Sequence, residues 1–316
     1  MGARRIVCFV ALLFLTWSSG VASAQSTIST DVGLRSWFTS GYTKFNFEGG
    51  PVVPISELRW RGTDVLLTEG NVDFVWRRLV LSTSLGGGYV SDGTFIDDDF
   101  FGTDYQARFS HTRSEVSGHV FYGIGDVGFR AYQWHEPMSG TRGFVDLFVG
   151  YQYWEEKYKA WGLQGFFGVL PFIVPEGQAL PQSVKGITHS YWFHSLRVGV
   201  RAVVPLGRGF AWRLSAAALP YTSATFEDIH HLRPDFAQDP TGRTRADGGF
   251  GYDIDTAVSY RVWRGLSAEV GYKFRGIEAG RGTLTQFFSD GTTARTPVPD
   301  LIIRRGGPYV GVQYRF

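Results

Sequence analysis

The stretch Leu266-Ser267-Ala268-Glu269-Val270-Gly271-Tyr272-Lys273-Phe274-Arg275 carries an apolar side chain at every second position. In extended backbone this puts Leu266, Ala268, Val270, Tyr272 and Phe274 on one face and Ser267, Glu269, Gly271, Lys273 and Arg275 on the other. A second run repeats the pattern, with Phe250, Tyr252, Ile254, Thr256, Val258, Tyr260 and Val262 against Gly251, Asp253, Asp255, Ala257, Ser259 and Arg261. Residues 196–202, 210–218 and 145–153 do the same. Long strands with acids and bases on the minority face fit a barrel whose outside meets lipid and whose lumen is polar. Asp253, Asp255, Glu269, Lys273 and Arg275 are then expected to face inward, pair and plug the lumen, which disfavours a general porin. Trp212, Tyr221, Trp263 and Tyr309, near strand ends, are expected in the interfacial girdles.

Both ends of the chain agree with export. Arg4 and Arg5 precede the apolar run from Ile6 to Trp17, and small residues lead to Ala22-Ser23-Ala24. That is the pattern of a signal peptide over residues 1–24, cleaved before Gln25, with a barrel over 25–316. The apolar run is too short for a membrane helix, which takes roughly 20 residues. The single Cys, Cys8, lies inside the run, so the exported chain has no disulfide to rely on. The last strand alternates Val310, Val312, Tyr314 and Phe316, expected to face lipid, with Gly311, Gln313 and Arg315. A C-terminal Phe after such a strand resembles the sorting signal read by the barrel-assembly machinery. A near-balance of 31 basic and 29 acidic residues argues against nucleic-acid binding, which calls for a clustered basic face.

The connections alternate in length. Short turns are expected at Arg77-Arg78, 135–142, 206–209 and 263–265, and long polar segments near 41–53, 91–115, 163–189, 225–248 and 281–305. This gives a transmembrane antiparallel barrel of about ten strands with short periplasmic turns and long extracellular loops. Localisation in the bacterial outer membrane follows, with outer-membrane lipid as surrounding partner.

A barrel scaffold does not state a function, so the loops must. One contains Ile96-Asp97-Asp98-Asp99-Phe100 and another Phe226-Glu227-Asp228-Ile229-His230. By parity both emerge on the extracellular side. Asp97 and Asp99 share a face, as do Asp228 and His230. Two facing carboxylates raise each other's pKa and can hold a proton or position a water. Asp228 can orient the His230 imidazole, which then removes a proton from water with no nucleophilic Ser or Cys. Solvated acidic loops, divalent-cation binding, and Asp-x-His as a metal ligand pair are the alternatives for each motif alone.

These residues resemble the omptins, the outer-membrane endopeptidases of Gram-negative bacteria. Asp31 to Lys44 is similar to the omptin first strand, Ile55 to Trp60 to the start of the second, and Val149-Gly150-Tyr151-Gln152 to the fifth; Ser110-His111 loosely resembles another polar pair of the cleft. The resemblance implies that Asp97 and Asp99 are the catalytic aspartate couple and that Asp228 and His230 are the dyad that activates water. It also implies a peptide or protein substrate and a requirement for lipopolysaccharide, with no other cofactor and no metal. The chain departs from the family where the acidic residues of the pocket for a basic P1 side chain stand: Phe45 and Phe226 occupy those positions. A cationic side chain would be desolvated there without a partner, so an apolar P1 preference is expected. A non-enzymatic barrel of the same shape, acting as adhesin, surface receptor or narrow pore, is the second reading.

Overall fold

The computed structural model describes residues 28–48, 55–101, 107–136, 142–167 and 178–316. The expected signal peptide and its cleavage site lie outside the described residues. Eight long strands come first: β1 (Ile28–Phe47), β2 (Ile55–Trp76), β3 (Leu79–Phe101), β4 (Ala107–His135), β5 (Arg142–Phe167), β6 (Lys185–Gly207), β7 (Phe210–His230) and β8 (Gly242–Arg261). They are followed by β9 (Leu266–Ala279), the short hairpin β10 (Gly282–Phe287) and β11 (Thr293–Val298), and β12 (Asp300–Arg315).

From β1 to β9 each strand pairs antiparallel with the next, β9 pairs with β12, and β12 pairs with β1, for example Leu34 opposite Val312, which closes the ring. The upper part of β8 pairs with β10 and its lower part with β9. The hairpin therefore continues β9 and β12 upward, and the wall is a transmembrane barrel of ten strands. Three of the expected tight turns fall in place: Arg77 and Arg208 adopt positive φ, and Gly207, Gly209 and Gly265 take left-handed backbone; most of the turn expected at 135–142 lies outside the described residues.

The burial pattern is that of a membrane protein. Leu34, Phe38, Leu66, Leu85, Val127, Val149, Leu196, Val258 and Val270 are exposed on the outer wall, and so are Val310, Val312, Tyr314 and Phe316. Trp212, Tyr221 and Trp263 join them, as expected. Tyr309 does not; it points into the lumen, and its hydroxyl donates to Asp255 Oδ1 at 2.7 Å. It follows from the alternation, because a strand that turns Val310 outward must turn Tyr309 inward.

Inside the membrane-spanning half the lumen is filled by ion pairs. Lys273 reaches Glu69 at 2.6 Å, Arg35 reaches Glu269 at 2.5 Å, and Arg197 bridges Asp126 and Asp253, each at 3.1 Å. Arg275 bonds Asp253 and packs against the stacked rings of Tyr122 and Trp154, 4.8 and 4.6 Å from their centroids. Buried charges of opposite sign, each close to a partner, close the lumen at low net cost.

The strands continue well past the apolar band. On β7 the last large apolar residue facing lipid is Tyr221, and Asp228 lies seven residues further, roughly 23 Å along the strand. Much of the 91–115, 225–248 and 281–305 segments expected as loops is thus strand that stands out of the membrane. Two bulges reverse the alternation at this boundary. In β3, four steps from Val90 to Thr94 match three in β4, and in β7, three steps from Ala218 to Tyr221 match two in β6. Below the bulges Tyr89 and Trp212 face lipid; above them Phe95 and Phe226 point inward. Gly93, at φ 154°, and Pro220 mark the two places, in keeping with the habit of Gly and Pro to sit at bulges.

Candidate functional site

The reversal decides where the acidic clusters point. Above the β3 bulge Asp97 and Asp99 face the interior, while Asp98 faces outward and is neutralised by Arg59, by Arg108 at 3.1 Å and by His111 Nδ1 at 2.5 Å. Above the β7 bulge Asp228 and His230 face the interior. All four inward residues line one cleft of about 340 Å3 at the end of the barrel away from the start of β1 and the end of β12. They sit on strands and not on loops, so their spacing is fixed by the ladder.

Asp99 stands between Ser56 on β2 and Ser110 on β4, Asp97 between Leu58 and Thr112, and Ser56 Oγ donates to Asp97 Oδ1 at 3.4 Å. Burial, together with the charges of Asp99 and Asp98, pushes the Asp97 carboxyl well above the usual range. Burial also raises Asp99, against hydrogen bonds from Ser56 and Ser110 and the opposing influence of His230 across the cleft. Such a pair keeps a proton to a higher pH than a free carboxylate does. Ser110 lines the cleft, but His111 points outward to Asp98, so the Ser110-His111 pair is divided by the wall.

On the opposite wall His230 Nε2 lies 2.9 Å from Asp228 Oδ2. Burial works to raise the Asp228 carboxyl, but the hydrogen bond and charge of His230, with a contribution from His189, hold it below the usual range. An ionised Asp228 accepts the Nε2 proton, which leaves Nδ1 of His230 as the basic nitrogen. The Thr241 hydroxyl accepts the His230 backbone N–H at 2.9 Å and donates to Ala237 O at 2.8 Å, tying the strand end to the following turn. Among the described residues, no three His, Cys, Asp or Glu side chains converge as a metal ligand set does, so the two pairs stand apart across the cleft.

The cleft floor is aromatic. Phe45 and Phe47 line it, with Leu58, Leu163, Ile187, Phe236 and Leu284 around them. Phe226 does not line the cleft; it is buried beneath Phe45, ring centroids 4.5 Å apart, and stacks on Tyr191 at 4.7 Å. The expected two-Phe pocket is therefore a Phe45 surface supported by Phe226.

Sequence reasoning missed His189. It lies in β6 opposite Asp228, fully buried, its ring edge-on to Trp60, Phe95 and Phe226. Burial lowers its pKa to about 3, so it is neutral. A lone His inside an aromatic run, His189-Ser190-Tyr191-Trp192-Phe193, carries no local signal; only the register brings it to Asp228.

No protein-family model matches the sequence, and no curated protein does. Among solved structures, the fold is similar to the outer membrane protease OmpT from Escherichia coli, with a TM-score of 0.72, 15% identity, and coverage of 94% of this chain and 99% of that one. A Pseudomonas aeruginosa FadL homologue aligns over 91% of this chain and 90% of its own at 8% identity with a TM-score of 0.30. At these identities the likeness is one of fold, and the chain has an omptin-like outer-membrane barrel.

Proposed function

We propose that this protein is an outer-membrane endopeptidase that activates water between a carboxylate pair and an Asp-His dyad. The observation that carries the reading is the convergence of four side chains, from two strands far apart in sequence, on one open cleft above a closed lumen. In this reading His230 Nδ1 takes the proton from a water held between the walls, and Asp228 stabilises the imidazolium that forms. Asp97 and Asp99 share a proton and orient the same water through their remaining oxygens. The attacking oxygen adds to the peptide carbonyl, and the proton held by His230 passes to the departing amine.

Phe45 and its apolar neighbours form the surface for the side chain before the scissile bond, so cleavage is expected after apolar or aromatic residues. An apolar surface discriminates by only about 1–3 kcal/mol per methylene, which makes that preference broad. Outer-membrane residence, delivery by the barrel-assembly machinery and dependence on lipopolysaccharide belong to the same proposal. The ion pairs that close the lumen speak against the narrow-pore alternative.

The test is to refold residues 25–316 in detergent with and without lipopolysaccharide, and to expose the protein to a diverse peptide library. Cleavage that vanishes in the Asp228→Ala, His230→Ala double variant supports the proposal. A folded barrel that cleaves nothing in either condition, or cleaves equally well without the dyad, overturns it and leaves the adhesin or receptor reading.

A further inference from the structure

Two buried polar atoms beneath the cleft have no hydrogen-bond partner among the described residues: Nε2 of His189 and Oδ1 of Asp228. They belong to residues directly opposite each other on neighbouring strands, whose side chains point to the same interior face. Paired Cβ atoms on adjacent antiparallel strands are about 4.5–5.5 Å apart. An orphaned buried donor or acceptor costs roughly 1–3 kcal/mol, so two of them side by side call for an explanation.

The tautomer of His189 supplies it. The Trp60 Nε1–H, which can only donate, is shared between the Tyr191 oxygen at 2.9 Å and His189 Nδ1 at 3.1 Å. Tyr191, accepting from the indole, has Nδ1 at 3.1 Å to receive its own hydroxyl proton. Nδ1 therefore accepts from one or both neighbours, which places the single proton of the neutral ring on Nε2. The only thing His189 can offer on its other side is an N–H, and what stands opposite is an ionised carboxylate with one oxygen already committed to His230.

We infer that His189 is a positioning residue for the dyad: Asp228 Oδ1 rests over the bare Cα of Gly242 on β8, and the Nε2–H of His189 donates to it through one bridging water, so that Trp60, His189, Asp228 and His230 form one oriented chain. The inference rests on the proposed hydrolytic role of the dyad but is read out without turnover. Asp228 is then held at both oxygens, and its Oδ2 is aimed at His230. Because His189 is buried under the aromatic floor, it never touches substrate; its effect falls on kcat and leaves KM nearly unchanged.

The experiment labels histidine with 15N in the refolded chain and compares the wild type with His189→Leu, which removes the donor, and His189→Gln, whose amide nitrogen restores a donor near the Nε2 position. In the wild type, His189 is expected to show a protonated Nε2 and a bare Nδ1 at neutral pH. In His189→Leu the unshared charge on Asp228 raises the His230 titration midpoint, and His189→Gln returns it toward the wild-type value. Asp99 from β3 and Asp235, Arg233 and His231 beyond β7 also bear on His230, and they are unchanged in all three proteins. Where cleavage is detected, kcat falls roughly tenfold to a hundredfold in His189→Leu and recovers in His189→Gln. A proton on Nδ1 of wild-type His189 overturns the inference, as does a His230 midpoint that stays or falls in His189→Leu. The wild-type tautomer and the Gln variant decide the matter even if the Leu variant fails to refold. Absence of peptidase activity removes the proposed function without touching the tautomer or the titration.

Discussion

The two halves of this barrel treat buried charge in opposite ways. In the membrane-spanning half, Glu69 meets Lys273, Glu269 meets Arg35, and Asp253 meets Arg275 and Arg197. In the half that stands above the bilayer, Asp97 and Asp99 lie side by side among the hydroxyl residues Ser56, Ser110 and Thr112, and Asp228 has a histidine where a lysine or arginine would neutralise it outright. Below, a carboxylate is locked to a permanent cation and can do no proton chemistry. Above, Asp97 has Asp99 beside it and Asp228 has His230, partners that can themselves take up or release a proton. The difference assigns stability to the lower half and chemistry to the upper, and substitutions should separate the two.

The largest effect is expected in the upper half. Asp228→Asn removes the carboxylate charge that fixes the His230 tautomer and stabilises its imidazolium, and a positioned general base is worth about 10²–10⁴ in rate. Turnover of the best library peptide should fall by that factor while the unfolding midpoint stays within about 1 kcal/mol of the wild type. A large loss of stability would show that the dyad holds the fold together as the lower pairs do.

The mirror experiment is Lys273→Ala. It takes from Glu69 one of its two cations, Arg35 remaining at 3.1 Å, and is expected to destabilise the barrel by about 1.5–3 kcal/mol, measured as a shift in the urea midpoint of folded, heat-modifiable protein. The double variant Lys273→Met, Glu69→Leu removes both charges and should recover most of the loss. Activity per folded molecule should be unchanged in either protein, because the site lies outside this half.

The lower half was legible in the sequence because its alternation is unbroken. The inward placement of Asp253, Asp255, Glu269, Lys273 and Arg275 follows from period two alone, and the pairing follows from the signs. The upper half was legible only piece by piece. Spacing showed that Asp97 shares a face with Asp99, and Asp228 with His230, but not which face. Projected through the bulges without interruption, the parity of Tyr89 and Trp212 would have turned Asp97 and Asp228 outward. Gly93 and Pro220 were the available signs of reversal. Strand extension beyond the membrane was mistaken for loop because polar residues there alternate against other polar residues. Tyr309 was misplaced for the opposite reason, a girdle rule being given precedence over the strand's own alternation. His189 could not be found without the β6–β7 register, since its partner is 39 positions away in the chain.

Specificity sharpens the comparison further, because among the described residues the floor of the cleft is apolar. Phe45→Glu places a carboxylate where the cleft can reach it, and a charge-assisted hydrogen bond contributes about 1.5–3 kcal/mol. The ratio of cleavage after Arg or Lys to cleavage after Leu or Phe should rise roughly tenfold to a hundredfold. Phe226→Asp alone should do little to this ratio and cost more in stability, since Phe226 is covered by Phe45 and stacked on Tyr191. Equal changes from the two substitutions would place the pocket deeper than the Phe45 surface.

The smallest effect concerns pH and needs no substrate. Burial and mutual repulsion raise Asp97 and Asp99 in the folded protein, whereas in the unfolded chain an Asp titrates near about 3.9. The folded pair therefore holds a proton that the unfolded chain has already released. Stability from that proton is fully present below the unfolded value and is lost as pH rises through the raised folded values. Asp97→Asn removes the repulsion and the linked proton while keeping the shape of the side chain. The variant should match the wild type at acidic pH and become progressively the more stable of the two as the solution is made alkaline, in parallel urea titrations across the pH range. If the two curves run together at every pH, Asp97 and Asp99 do not share a proton, and the upper half would differ from the lower in geometry without differing in its electrostatics.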